Sequence, residues 1–132
     1  MGMEQSVSFA GRSVPSYVGV RDFLGQRGFL LQMGMIDGQL AFPDELPDEN
    51  WRELRLRTSQ GMVTVRRESE RLAFVTWGNA DAAMVQAWNA LVWAFAEVGA
   101  GRIETAEGLL DARTYRERVE LPGELRSDAA HD

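Results

Sequence analysis

The sequence predicts an α+β domain. An antiparallel β-sheet that includes a meander over residues 51–77 carries one long buried helix, about residues 79–98, on one face, with a smaller N-terminal helix and a short C-terminal helix. Three observations lead there. Residues 51–58, 62–67 and 72–77 are strand-like runs divided by short polar turns, and the first two alternate apolar and polar side chains with the period of half-buried strands. Residues 79–98 carry only Asp81 and Glu97 as charged groups, so a helix there has no face suited to water and must be covered on most sides. Gly78 separates the last strand from that helix, and Gly99 and Gly101 follow it as stop signals.

The remaining elements follow from local signals. Residues up to about Gln5 are expected to fray, and Val7 and Phe9 alternate with Ser8 and Ala10 as a weak strand. Ser16 can cap a helix over residues 17–27, in which Tyr17, Val20 and Leu24 recur at helical spacing, Gly19 and Gly25 weaken the helix, and Gly28 suits its C-terminal end. Residues 29–36 and 39–42 flank Asp37-Gly38, a pair favoured in tight hairpin turns. Residues 43–50 form an acidic, proline-punctuated surface connection, anchored by Leu46 and Trp51.

In the meander, Leu54 and Leu56 alternate with Glu53, Arg55 and Arg57, and Val63 and Val65 alternate with Met62, Thr64 and Arg66. These two strands are apolar on one face. The third, residues 72–77, is apolar at both parities, as expected of a strand covered on two sides. Asn79 or Asp81 caps the long helix. Residues 102–105 and 109–110 suit a short hairpin, and Asp111 caps a helix running to about Glu120, stopped by Pro122-Gly123. The expected organisation is one domain over residues 1–121 and a flexible tail over 122–132.

Composition narrows the function classes. The chain has 132 residues and a net charge of -6, and its basic groups are all arginine. That charge repels nucleic acid and anionic lipid at long range. The absence of cysteine removes thiolate chemistry and cysteine-ligated metals, and it suits a reducing cytoplasm. No basic-then-apolar leader opens the sequence, and Gln86, Asn89 and the two charges argue against a membrane-spanning reading of the long helix. The expected protein is soluble and cytoplasmic.

No motif assigns a catalytic residue, cofactor or metal. The only histidine is His131, in the expected tail, so an imidazole-based triad has no fixed base. Asp44, Glu45, Asp48, Glu49 and Asn50 supply oxygen ligands without the spacing, central glycine or final glutamate of an EF-hand loop. Asp22, Asp37, Asp81 and Asp111 are conceivable acid/base groups that linear spacing does not bring together.

Surface chemistry is the remaining guide. On the long helix, Met84, Trp88, Leu91, Phe95 and Val98 form the stripe expected to face the sheet, and Ala83, Ala87, Ala90 and Ala94 form a flat stripe for a neighbouring element. Trp93 lies opposite the core stripe, near Gln86 and Asn89, where it either tucks under the C-terminal segment or meets a partner. Arg55, Arg57 and Arg66 lie on the outer sheet face, either as a solvated face paired with Glu53, Glu68 and Glu70 or as a cationic patch suited to an acidic peptide or a phosphate, and Trp77 ends the two-faced strand.

These seven residues, Trp93, Gln86, Asn89, Arg55, Arg57, Arg66 and Trp77, are the candidate interface. The expected role is a non-enzymatic protein-interaction module, homodimeric because its apolar area exceeds what one copy can cover, and binding another protein. The alternatives are a small acidic chaperone- or immunity-type protein and a small-molecule-binding domain with a pocket between helix and sheet. A ligand would need an enclosed cavity beside a tryptophan, and an enzyme would need carboxylates or arginines converging in a cleft.

Overall fold

The computed structural model describes residues 3–78 and 80–126. Eight strands form one antiparallel sheet: β1 (Met3–Ser8), β2 (Gln32–Ile36), β3 (Gln39–Leu40), β4 (Glu53–Thr58), β5 (Gly61–Glu68), β6 (Arg71–Thr76), β7 (Arg102–Thr105) and β8 (Gly108–Leu110). Their spatial order is β3-β2-β4-β5-β6-β1-β7-β8. Four helices accompany them: α1 (Tyr17–Gly25), α2 (Ala82–Gly99), α3 (Ala112–Arg118) and α4 (Gly123–Arg126). The α+β architecture is the one the sequence predicts. The long helix α2 packs on β6, β1 and β7, with α1 and α3 also packed against it.

The hairpin turn between β2 and β3 uses Asp37 at φ 49° and Gly38 at φ 84°, the pair of left-handed conformations that matches the twist of flanking strands. Asp37 does a second job. Its carboxylate accepts the backbone N–H groups of Arg52 (2.8 Å) and Glu53 (2.9 Å), pinning the start of β4 to the hairpin. Those donors hold its pKa below the usual carboxylate range. β2 is shorter than the apolar run 29–36 implies, and it bulges between Met33 and Met35.

β1 departs from expectation. Instead of fraying to Gln5, the strand begins at Met3 and lies between β6 and β7, paired with both. β6 pairs the whole strand from Met3 to Ser8 while β7 pairs only Ser6–Ser8, so Met3–Gln5 are held by the β6 ladder and by the Gln5 amide, which donates to the Glu104 carbonyl. In β6, Leu72 and Phe74 face α2, whereas Ala73 and Val75 lie on the outer face; all four are buried. The two-faced pattern therefore reports an interior strand covered by its own chain.

Asp81 caps α2, its carboxylate accepting the Met84 N–H at 2.8 Å; Asn79, the other candidate cap, lies outside the described residues. The helix ends where expected, but for a different reason. Ala100, not a glycine, takes the left-handed conformation at φ 53°. Gly99 and Gly101 serve packing: a Cβ on Gly99 would sit 2.6 Å from Phe9, and one on Gly101 would sit 2.7 Å from Phe9 and 2.8 Å from Val7. Val98, the last member of the expected core stripe, is 38% exposed, while Met84, Trp88, Leu91 and Phe95 are buried.

The expected tail from residue 122 is corrected at its start. Gly123–Arg126 forms a helical turn, and Leu121 and Leu125 are buried in the core, so burial of two leucines fixes this segment. Residues 127–132 lie outside the described residues.

The glycine contacts separate two substitutions. Gly101→Ala is expected to destabilise the protein by about 1–3 kcal/mol through overpacking against Val7 and Phe9. Gly25→Ala meets nothing within 4 Å, and it should be neutral or stabilising by up to about 1 kcal/mol. Urea unfolding of the two variants beside the parent protein checks both.

Candidate functional site

Two of the expected interface residues, Trp93 and Asn89, turn inward, and a third, the half-buried Gln86, is engaged by the C-terminal segment. Trp93 is 1% exposed, its ring tilted against Phe23 of α1 at 5.2 Å and stacked beneath the Arg116 guanidinium of α3 at 4.8 Å. Asn89 donates to the Glu120 carbonyl at 3.0 Å and accepts from the Tyr115 hydroxyl at 3.3 Å. Gln86 reaches the Glu120 carboxylate at 3.3 Å. Together they clasp α3 and the segment after it onto α2. The correction has a simple cause: the spare apolar groups Tyr115 and Leu121 dock on α2 and cover the face that Trp93 would otherwise present.

The other four residues stay on the outer face of the sheet, and the register sorts them. One row across the sheet reads Leu40, Met35, Arg55, Thr64, Val75, Glu4. The row beside it towards the β4–β5 turn reads Gln32, Arg57, Met62, with Trp77 just beyond the end of β6. On the other side lie Glu53, Arg66, Ala73, Ser6, Glu104 and Leu109, and past them Glu68, Arg71, Ser8 and Arg102.

Charges on this face divide into two territories. Arg66 pairs with Glu53 at 3.1 Å, and Arg71 pairs with Glu104 at 3.0 Å and Glu68 at 3.8 Å. Arg66 also lies 5.7 Å from the Trp77 ring centroid, and the buried Thr64, Ala73 and Val75 share their face. By contrast, Arg55 and Arg57 are exposed and make no ion pair or hydrogen bond among the described residues. Around these two cations stand Met35, Met62, Leu40 and Trp77; Leu40 is 86% and Trp77 59% exposed, and Phe42 just beyond β3 is 75% exposed. Met62 was legible as the apolar member of an otherwise polar parity. Met35 and Leu40 were not, because the bulge in β2 resets which residues point outward.

The sheet edges are poor docking sites by comparison. β3 has two residues and β8 three, too short to template an added strand. Beside β3, the Met33 N–H is already taken by the Pro43 carbonyl at 3.0 Å.

At the tryptophans the long helix is packed closely: Trp88 is buried with its indole N–H on the Phe74 carbonyl at 3.0 Å, and Trp93 is packed as described. Clefts occur elsewhere. One of about 780 Å³ is lined by Glu97, Arg113, Glu117 and Val119 beside α3. Another of about 540 Å³ is lined by Tyr17, Trp51 and Arg67, whose guanidinium stacks on Trp51 at 4.4 Å and donates to the Glu49 carbonyl at 3.2 Å. That cleft mixes Arg12 and Arg67 with Asp48, Glu49 and Glu70, so charges of both signs line it and largely offset one another.

The carboxylates considered for chemistry have structural partners. Asp37 holds two backbone donors, Asp81 and Asp111 cap helices, and Asp22 pairs with Arg21 at 3.2 Å. In the acidic connection, Asp48 accepts the Asn50 N–H and Glu45 the Phe42 N–H. No group of three or more His, Cys, Asp or Glu side chains converges among the described residues, and His131 lies outside them. No helix among the described residues is long and apolar enough to cross a membrane. Comparison with protein-family models, curated proteins and solved structures returned no significant match.

The clasp makes two predictions. Asn89→Ala strips the Tyr115 hydroxyl of its acceptor and frees the Glu120 carbonyl, which should cost about 1–3 kcal/mol in urea unfolding. Burial raises the pKa of Tyr115, and of Tyr17 less strongly, above the ordinary tyrosine value near 10.0. The folded state therefore holds protons that the unfolded chain releases. Melting temperature should be insensitive to these groups below about pH 10 and fall as pH rises beyond it, less steeply in Tyr115→Phe.

Proposed function

We propose that this chain is a non-enzymatic protein-interaction module, working in the cytoplasm, that docks another protein on the outer sheet face around Met62 and Trp77. One observation carries the reading: large apolar side chains, Leu40, Met62 and Trp77, stand exposed beside Arg55 and Arg57 on a rigid face whose edges are too short to pair. Exposed tryptophan, methionine and arginine are the residue types enriched where proteins bury contact energy. The absence of cysteine supports the cytoplasmic setting.

Self-association is no longer needed to explain the apolar surplus. Trp93 and both faces of β6 are covered within one chain. The reading also accommodates a small acidic chaperone or immunity-type protein, since both would act by docking a folded face on a client.

A photoreactive aromatic amino acid in place of Trp77 tests the proposal in the native host. A discrete adduct, identified by mass spectrometry, should form there and not from the same amino acid at Arg113, which is also exposed but lies on α3, away from this face. Adducts of equal yield from both positions, or none from position 77 across growth conditions, would overturn it.

A further inference from the structure

We infer that the partner presents an acidic segment with interspersed apolar side chains, and that Arg55 and Arg57 read its carboxylates while Met62 and Trp77 take its apolar groups. This rests on the docking face proposed above and adds the chemistry of what docks. The chain carries a net charge of -6, yet its outer face holds two exposed arginines without a partner among the described residues. Arg66 is neutralised by Glu53 at 3.1 Å, so the free charge of this half of the face is positive.

Geometry supports the same reading. Arg55 and Arg57 point to one face of β4, two residues apart, a separation of about 7 Å. That matches successive same-face side chains of an extended segment, or neighbours a turn apart on a helix. Met62 is the direct cross-strand partner of Arg57, so an apolar contact and a carboxylate contact fall side by side. An arginine fork favours carboxylates because it can donate two parallel hydrogen bonds.

A polyanion fits less well. Nucleic acid and anionic membranes present long arrays of charge, which a chain of net charge -6 repels beyond the reach of two arginines. A second copy offering its own loop, with Asp44, Glu45, Asp48 and Glu49, would join unlike surfaces. Two of those four acids, Glu45 and Asp48, already accept backbone N–H groups, and unless two copies exchange the contact about a twofold axis or close a ring it grows into open chains.

The test uses the full-length chain and fluorescein-labelled 16-residue peptides in anisotropy titrations. One peptide alternates Glu with Leu and Phe, the second has Lys at each Glu position, and the third has Gln there. The acidic peptide should bind, weakening as salt rises, with affinity at least about tenfold above the Gln and Lys versions. The double variant Arg55→Glu, Arg57→Glu should lose the acidic peptide and gain the Lys peptide, a swap that mere misfolding cannot produce. Equal binding of all three peptides overturns the inference and leaves the docking face intact. Preferential binding of labelled oligouridylate or of phosphatidylserine vesicles through the same arginines overturns it too. So does growth in mass with concentration, seen by light scattering and abolished in the double variant, which would identify a second copy as the occupant. If position 77 yields no specific adduct in cells, the docking face itself fails, whatever the peptides do.

Discussion

The structure depends on enclosing α2. A helix of eighteen residues with Glu97 as its only charged side chain gains nothing from water on most of its surface, so the fold supplies cover on several sides. The sheet takes Met84, Leu91 and Phe95, α1 brings Phe23 to Trp93, and α3 with the segment after it closes the remaining side. The sheet and the α3 segment are each secured by a hydrogen bond that the helix provides, and a third bond closes the helix end. Trp88 donates into β6, Asn89 holds the chain at Glu120, and Gly101 donates back to Ala96 at the end of α2. Burial of apolar area drives this arrangement, and the few polar groups fix its register.

Much of the fold was legible because it rests on short-range periodicity. Alternation in β4 and β5, the two-parity pattern of β6, Asp37-Gly38 and the caps Ser16, Asp81 and Asp111 each report a local requirement of the backbone. What stayed hidden is non-local. Nothing around Met3 says that it will meet β6 and β7, and nothing in Gly99 or Gly101 distinguishes a helix stop from a seat for Phe9. The same limit applied to the candidate interface. Arg55, Arg57, Arg66 and Trp77 were placed by strand parity, which is local, whereas the fate of Trp93 depended on where Tyr115 and Leu121 would dock. Spacing along a helix told which side Trp93 faces, but not what waits there.

The outer sheet face shows how one surface can be settled at one end and open at the other. Towards β1 and β7, arginines and glutamates from neighbouring strands neutralise one another, and such exposed pairs add little stability while leaving no strong field. Towards β2, the register brings two arginines opposite Thr64 and Met62 rather than opposite acids. Elsewhere the carboxylates of Asp37, Glu45, Asp48, Asp81 and Asp111 accept backbone N–H groups at turns and helix caps, and Glu4, in the same row as Arg55, stands three strands away. An acidic chain thus keeps a small positive island on this half of the face.

The placement of β1 carries a consequence for how the molecule is made. Of the eight described strands this one is synthesised first, yet its sheet neighbours are the sixth and seventh, and Gln5 bonds a carbonyl 99 positions away. Until β6 and then β7 have been synthesised, Val7 has no sheet to join. Assembly is therefore governed by closure of long loops, which slows folding relative to a chain built from neighbouring contacts. Zipping β7 beside β1 joins the first described strand to the seventh, so a nascent chain stopped before residue 102 would hold an incomplete sheet with Ser6–Ser8 of β1 lacking their second partner.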